Sequence, residues 1–160
     1  MKKKALMIKI NVISNYSGWK NYFKNPNSYI DNKVKTINKK NKNFKDKTIF
    51  CTLLLSGSAE IKKLNKKFRN KNKATDVLSF PFYNKKELKK KLYNDKEIYL
   101  GDIVVNLDQV QKDKVENNFK LEFNKLWIHG LVHLFGHDHK KDKDYNIMKN
   151  IEKKFLSYLY

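Results

Sequence analysis

Arginine is almost missing from this chain: Arg69 stands alone among 36 basic side chains, all the others being lysine. Cysteine is as scarce. With Cys51 the only one, no intrachain disulfide can form, and the sequence suits a reducing compartment. Apolar runs are short, none nearing the roughly 20 residues that a membrane-spanning helix needs. The basic start, Met1 to Lys4, leads into Ala5-Leu6-Met7-Ile8, but Lys9 interrupts the apolar part well before a signal-peptide core is complete. A soluble, cytoplasmic protein without membrane association is therefore expected. Acidic residues number only 16, which leaves a net charge of +20 and a pI near 9.8. Such an imbalance favours an anionic partner, nucleic acid first, and speeds encounter with one. Lysine and asparagine dominate the whole chain, so part of this charge is compositional. Internal repeats are absent, and 160 residues suit one domain, residues 1–160, with a sizeable core.

The patterns that are present alternate between strand and helix. Ile8, Ile10 and Val12 alternate with polar residues as a half-buried first strand does. Asn25-Pro26-Asn27-Ser28 marks a helix entrance, with Ile30, Val34 and Ile37 at helical spacing behind it, and the Lys/Asn-rich stretch from Asn38 to Lys47 is expected to be a loop. Thr48 to Leu55 is β-branched and apolar, a central strand. Ser56-Gly57-Ser58 turns it into a helix with Ile61, Leu64 and Phe68 on one face. Val77 to Phe82 alternates, and Pro81, which cannot donate to a ladder, marks it as an edge strand. Asn84 to Lys96 reads as a solvated excursion with a turn or two of helix through Glu87 to Tyr93. Tyr99 to Val105 reads as the last strand. Asn106 can cap a helix through Leu107 and Val110, and a further helix from about Lys120 carries Phe119, Phe123, Leu126 and Trp127. Met148, Ile151, Phe155 and Leu159 give a closing core helix, in which Met148 is a packing residue.

All four histidines lie between His129 and His139, in the stretch H-G-L-V-H-L-F-G-H-D-H. His129 and His133 are four residues apart among apolar neighbours, so on a helix both imidazoles leave the same face one turn apart. Gly136 can adopt a left-handed conformation, end the helix and turn the chain so that His139 swings back towards the other two rings. Three converging imidazoles suit zinc, one ion per chain, with a fourth position left for water or substrate. A metal-buffering histidine tract would need neither the apolar helix nor the glycine. The spacing is that of the zinc-protease motif H-E-x-x-H-x-x-G-x-x-H, but Gly130 replaces the glutamate that serves as general base there. The metal scaffold is kept and the peptidase base is lost.

The eleven residues from His129 to His139 resemble the signature of the YbeY family of metal-dependent endoribonucleases, which mature small-subunit ribosomal RNA. Two further stretches resemble the same family in the same order: Leu64 to Pro81, with its T-D-V-L-S-F-P strand, and Leu100-Gly101-Asp102-Ile103-Val104. The resemblance spans roughly residues 48 to 159. It implies a zincin-like α+β fold, a small mixed sheet of about four strands packed with helices, one helix carrying the metal motif. It implies that His129, His133 and His139 bind the metal. The family usually has an aromatic residue before the Asp138-His139 pair, where this chain has His137, so His137 is an alternative third ligand. Arg69 and His129 are the candidate catalytic residues. A chain that otherwise uses only lysine keeps the planar fork of Arg69, which can grip a phosphate with paired hydrogen bonds. Asp138 can orient an imidazole or cap the turn, and Asp102 is a site or partner-contact residue or a polar residue of the strand. The implied function is single-strand-specific cleavage of ribosomal RNA precursor, with the small ribosomal subunit as partner. A zinc peptidase and a non-catalytic ribosome-binding module with structural zinc are the alternatives.

Overall fold

Apolar alternation at Ile8, Ile10 and Val12 produces β1 (Met7–Ser14), whose side chains alternate between exposed and buried. The structure, a computed structural model, describes residues 7–41, 46–110 and 116–160. The basic start of the chain and the middle of the expected Asn38–Lys47 loop lie outside them. Helix α1 (Pro26–Lys40) starts where expected, with the Asn25 side chain accepting from the Ser28 N–H at 3.0 Å. It ends later than expected. Asn38 lies in its last turn, and its amide pairs with both backbone groups of Ile8, at 2.9 and 3.0 Å. Asparagine here covers the outer edge of β1 instead of breaking the helix.

Thr48 to Ser56 forms β2, followed by α2 (Ser58–Arg69), β3 (Val77–Pro81), α3 (Lys85–Asn94) and β4 (Glu97–Asn106). The strand order is β1-β2-β4-β3, with β1 and β4 parallel to β2, and β3 antiparallel to β4. The sheet is therefore mixed and four-stranded, and β3 is the edge strand that Pro81 implies. The last strand in sequence lies inside the sheet, between β2 and β3. Gly101 interrupts it with φ +132°, where the register against β2 shifts; a Cβ there would meet the Phe80 carbonyl oxygen at 2.1 Å. The Lys-rich excursion is a full helix, α3, because Asn84 and Glu87 form a reciprocal capping box. Asn106 does act as a cap, but of a short 3₁₀ turn, Leu107–Gln109, and not of a longer helix.

Each face of the sheet carries its own core. Ile10, Cys51, Leu53, Leu100, Ile103 and Val105 pack with Ile30 and Val34 of α1, with α4 (Glu116–Leu134), which starts before Lys120, and with Met148 of α5 (Asp142–Ser157). Burial pushes the Cys51 thiol up to about 12, with the Asp102 charge adding to it, so this cysteine is an inert core residue. On the opposite face Ile61 of α2 covers Leu78 and Val104. The expected apolar stripe of α2 does not run its full length: Phe68 is 58 % exposed. Among the described residues no helix is long and apolar enough to cross a membrane.

Candidate metal centre

Trp127, Ile128, Leu131 and Val132 are all buried, which pins α4 to the sheet and directs His129 and His133 to its one remaining open side. Gly130 sets how close the helix comes. A Cβ at this position would meet Ile103 Cγ2 at 2.5 Å and Ser79 Oγ at 3.0 Å, and the Ser79 hydroxyl donates to the Gly130 carbonyl at 3.1 Å. The protease glutamate is therefore excluded by packing: this position faces β3 and β4, away from the histidines. The helix ends at Leu134, and Gly136 takes φ +91° while its N–H bonds to the His133 carbonyl at 2.9 Å. The chain reverses there and brings His139 to the other two rings, at centroid distances of 5.5 Å from His129 and 5.0 Å from His133.

The three imidazoles offer nitrogen atoms that all lie within 4.8 Å of one another. Nε2 of His129 and Nε2 of His133 are 3.0 Å apart. Each ring has its other nitrogen engaged: His129 Nδ1 with Glu152 Oε1 of α5 at 2.7 Å, and His133 Nδ1 with the His137 carbonyl at 2.9 Å. Both partners are acceptors, so in each neutral ring Nδ1 carries the proton and Nε2 presents a lone pair inward. Two lone pairs at that distance repel unless a cation lies between them. For comparison, two nitrogens bound at about 2 Å to one tetrahedral ion are about 3.3 Å apart. The donor set therefore fits a small divalent ion with nitrogen preference. His139, the most exposed of the three, bounds the open side.

Electrostatics agree with this tautomer assignment. Burial lowers the His133 pKa below the ordinary histidine value, and the neighbouring His129 lowers it further, so the neutral ligand form is favoured. Burial pushes the Glu152 carboxyl up, but the hydrogen bond it accepts from His129 and the nearby Lys149 more than reverse this and hold it below the ordinary carboxylate value. Glu152 is thus an anionic acceptor for His129. The sequence offers one signal for it: it follows Met148 by four residues, which puts an acid on the buried stripe of a helix.

His137 and Asp138 take other parts. The His137 ring lines an apolar groove of about 240 Å³ with Leu92, Phe135, Ile151 and Phe155, and only its carbonyl serves the site. Asp138 accepts from the His139 N–H at 2.7 Å and caps the turn. Arg69, at the end of α2, donates from Nη2 to the Ser79 carbonyl of β3 at 3.0 Å and lies 6.0 Å from the centre of the Phe80 ring. Its contacts are with the edge strand and not with the imidazoles. Ser79 links the two regions, since its hydroxyl holds the carbonyl of Gly130, next to His129. Asp102 is exposed on the sheet face away from α4, where it accepts from the Tyr99 hydroxyl, outside the histidine cluster.

These features define a class: a small α+β protein with an open three-histidine site at the end of a helix packed on a mixed sheet. The family model of endoribonuclease YbeY matches residues 17–160. Endoribonuclease YbeY of Pelagibacter ubique is 46% identical over 144 residues, covering 89% of this chain and 90% of that protein. Endoribonuclease YbeY of Ehrlichia canis is 36% identical over 155 residues, covering 96% and 93%. The solution structure of TM1509 from Thermotoga maritima superposes with a TM-score of 0.55 at 26% identity, covering 96% of this chain and 89% of that one. The chain belongs to the endoribonuclease YbeY family.

Proposed function

We propose that this chain, acting as one domain over residues 1–160, is a single-strand-specific, metal-dependent endoribonuclease that matures small-subunit ribosomal RNA. His129, His133 and His139 hold one zinc ion per chain, the small ribosomal subunit is the partner, and the cytoplasm is the place of action. The observation that carries this reading is the convergence of three imidazole nitrogens within 4.8 Å, on an open side, in a chain of this family.

Bound there, the ion supplies Lewis acidity, polarising a phosphoryl oxygen, lowering the pKa of water, or both. The chain's own residues do the remaining work. Glu152 and the His137 carbonyl fix the rings of His129 and His133, so that little reorganisation is needed when substrate arrives. Arg69 holds a phosphate of the substrate: one fork nitrogen is anchored on the Ser79 carbonyl, and the exposed guanidinium beyond it stabilises charge building on phosphoryl oxygens. The lysines hold the flanking backbone electrostatically. Packing of Gly130 against Ile103 and Ser79 leaves no room for the peptidase base, which disfavours that alternative.

The test is cleavage of a single-stranded RNA and its duplex by the purified chain, with chelator, with zinc restored, and with a His129→Ala variant prepared in parallel. Zinc-restored cleavage of the single strand, absent in the variant, is expected. Equal cleavage by the variant would assign the activity to a contaminant and overturn the reading.

A further inference from the structure

Between Lys62 and Lys73 the chain carries seven basic residues, no acidic residue and one aromatic, Phe68. Helical spacing puts Phe68 in line with Ile61, which is fully buried, yet Phe68 is 58 % exposed. Its ring meets Phe80 of β3 edge-on, with centroids 5.3 Å apart at 62°. Cations surround this pair: Lys67 Nζ is 5.2 Å from the centre of the Phe68 ring, and Arg69 Cζ is 6.0 Å from that of Phe80. The surroundings are held in place. Asn70 ends the helix at φ +57°, the Lys71 N–H bonds to the Asn65 carbonyl at 3.2 Å, and the Asn65 side chain ties down the Lys73 carbonyl at 2.9 Å. Burial does not explain a large ring kept in water here, and the cations around it suit an anionic partner.

We propose that Phe68, backed by Phe80, is a base-stacking platform for single-stranded RNA at the free edge of β3, next to the phosphate that Arg69 holds. Proteins that bind single strands combine aromatic faces with a cationic groove, because every base has a face to stack and every linkage a charge to pair. In a duplex those faces are already stacked, so a stacking residue beside the phosphate contact makes the site select unpaired RNA. Phe68 is thus a specificity-determining residue. The inference rests on the endoribonuclease reading but is read by binding instead of cleavage.

The experiment is fluorescence anisotropy of the zinc-loaded protein with a short single-stranded 2′-O-methyl RNA, checked to stay intact, for the parent, Phe68→Leu and Phe68→Trp. Phe68→Leu keeps apolar bulk without a stacking face and should weaken binding about 10- to 100-fold, whereas Phe68→Trp should stay within about threefold of the parent. The salt dependence of binding should be the same in all three, because no charge changes. An abasic site walked along the RNA tests the parent independently of any variant. At one position it should weaken parental binding and erase the difference between parent and Phe68→Leu. Binding by Phe68→Leu within twofold of the parent, or no abasic position coupled to Phe68, overturns the proposal, and is the result a protein-docking role would give. Loss of cleavage by the parent with the stacking signature intact would instead overturn the endoribonuclease reading alone.

Discussion

Glu152 Oε1 lies 2.7 Å from Nδ1 of His129, so α5 fixes the proton position of a ring that α4 carries. The closing helix of the chain therefore takes part in the histidine cluster as well as in the core.

Removing this carboxylate should weaken the metal without unfolding the protein. Glu152→Ala is expected to lower metal affinity about 10- to 100-fold, and Glu152→Gln, which keeps an acceptor but no charge, should fall between it and the parent. Competition with a chelator of known affinity measures this. Parental affinity in Glu152→Ala would remove Glu152 from the centre.

Gly130 should tolerate nothing larger. A Cβ 2.5 Å from Ile103 Cγ2 cannot be accommodated unless α4 or β4 moves, so Gly130→Ala is expected to cost about 1–3 kcal/mol in urea unfolding. Ile103→Ala in the same chain should recover part of the added loss, giving a double variant less destabilised than the sum of the two singles. Strict additivity would show that the contact is not where the strain lies.

The legible part of this molecule is the part written in local spacing. His129, His133, Gly136 and His139 declare themselves through helical period and a turn residue, and Pro81 declares the edge strand. Glu152 lies 13 residues beyond His139 and is one of 16 acids, so only its place on the Met148 stripe sets it apart. Phe68 reads as an inward-facing residue because period alone gives a shared helix face and not how much of that face is covered. The interior position of β4 depends on how the chain crosses over between strands, which no stretch of residues 97–106 encodes by itself. Asn38 reads as a loop residue from composition, yet it closes the edge of β1, a long-range role that composition cannot reveal.

Acid should destabilise the metal-free protein before the ordinary carboxylate range is reached. His133 has its pKa lowered in the fold, mainly by burial, so below about pH 6.5 the unfolded chain takes up a proton that the folded chain resists. Stability from this group is complete above that pH and is lost as pH falls through the lowered value. Glu152, also lowered, adds a loss of the same sign further into acid. Urea midpoints in the presence of chelator should fall between pH 7.5 and 5, and less so for His133→Gln. A midpoint that rises over this range would contradict the assignment.

Arg69→Lys should be nearly as damaging to RNA cleavage as Arg69→Ala, with metal content and folding intact. A guanidinium can anchor on the Ser79 carbonyl and still present N–H groups to a phosphate, whereas an ammonium is a compact, strongly hydrated point charge. Losing such a charge-stabilising contact typically costs about 2.7–4 kcal/mol, or roughly 100- to 1,000-fold in rate. Cleavage by the metal-loaded lysine variant within about threefold of the parent would return Arg69 to the pool of interchangeable cations.

The ligand shell of the bound ion, seen by anomalous diffraction from zinc-loaded crystals, separates a catalytic centre from a structural one. Three nitrogens from His129, His133 and His139 are expected, with the His137 ring still in its apolar groove and one position free of protein ligands; in solution, His137→Ala should then keep the metal and His139→Ala should lose it. A fourth protein ligand from the His137 ring or the Asp138 carboxylate would close the site and contradict its role in cleaving RNA.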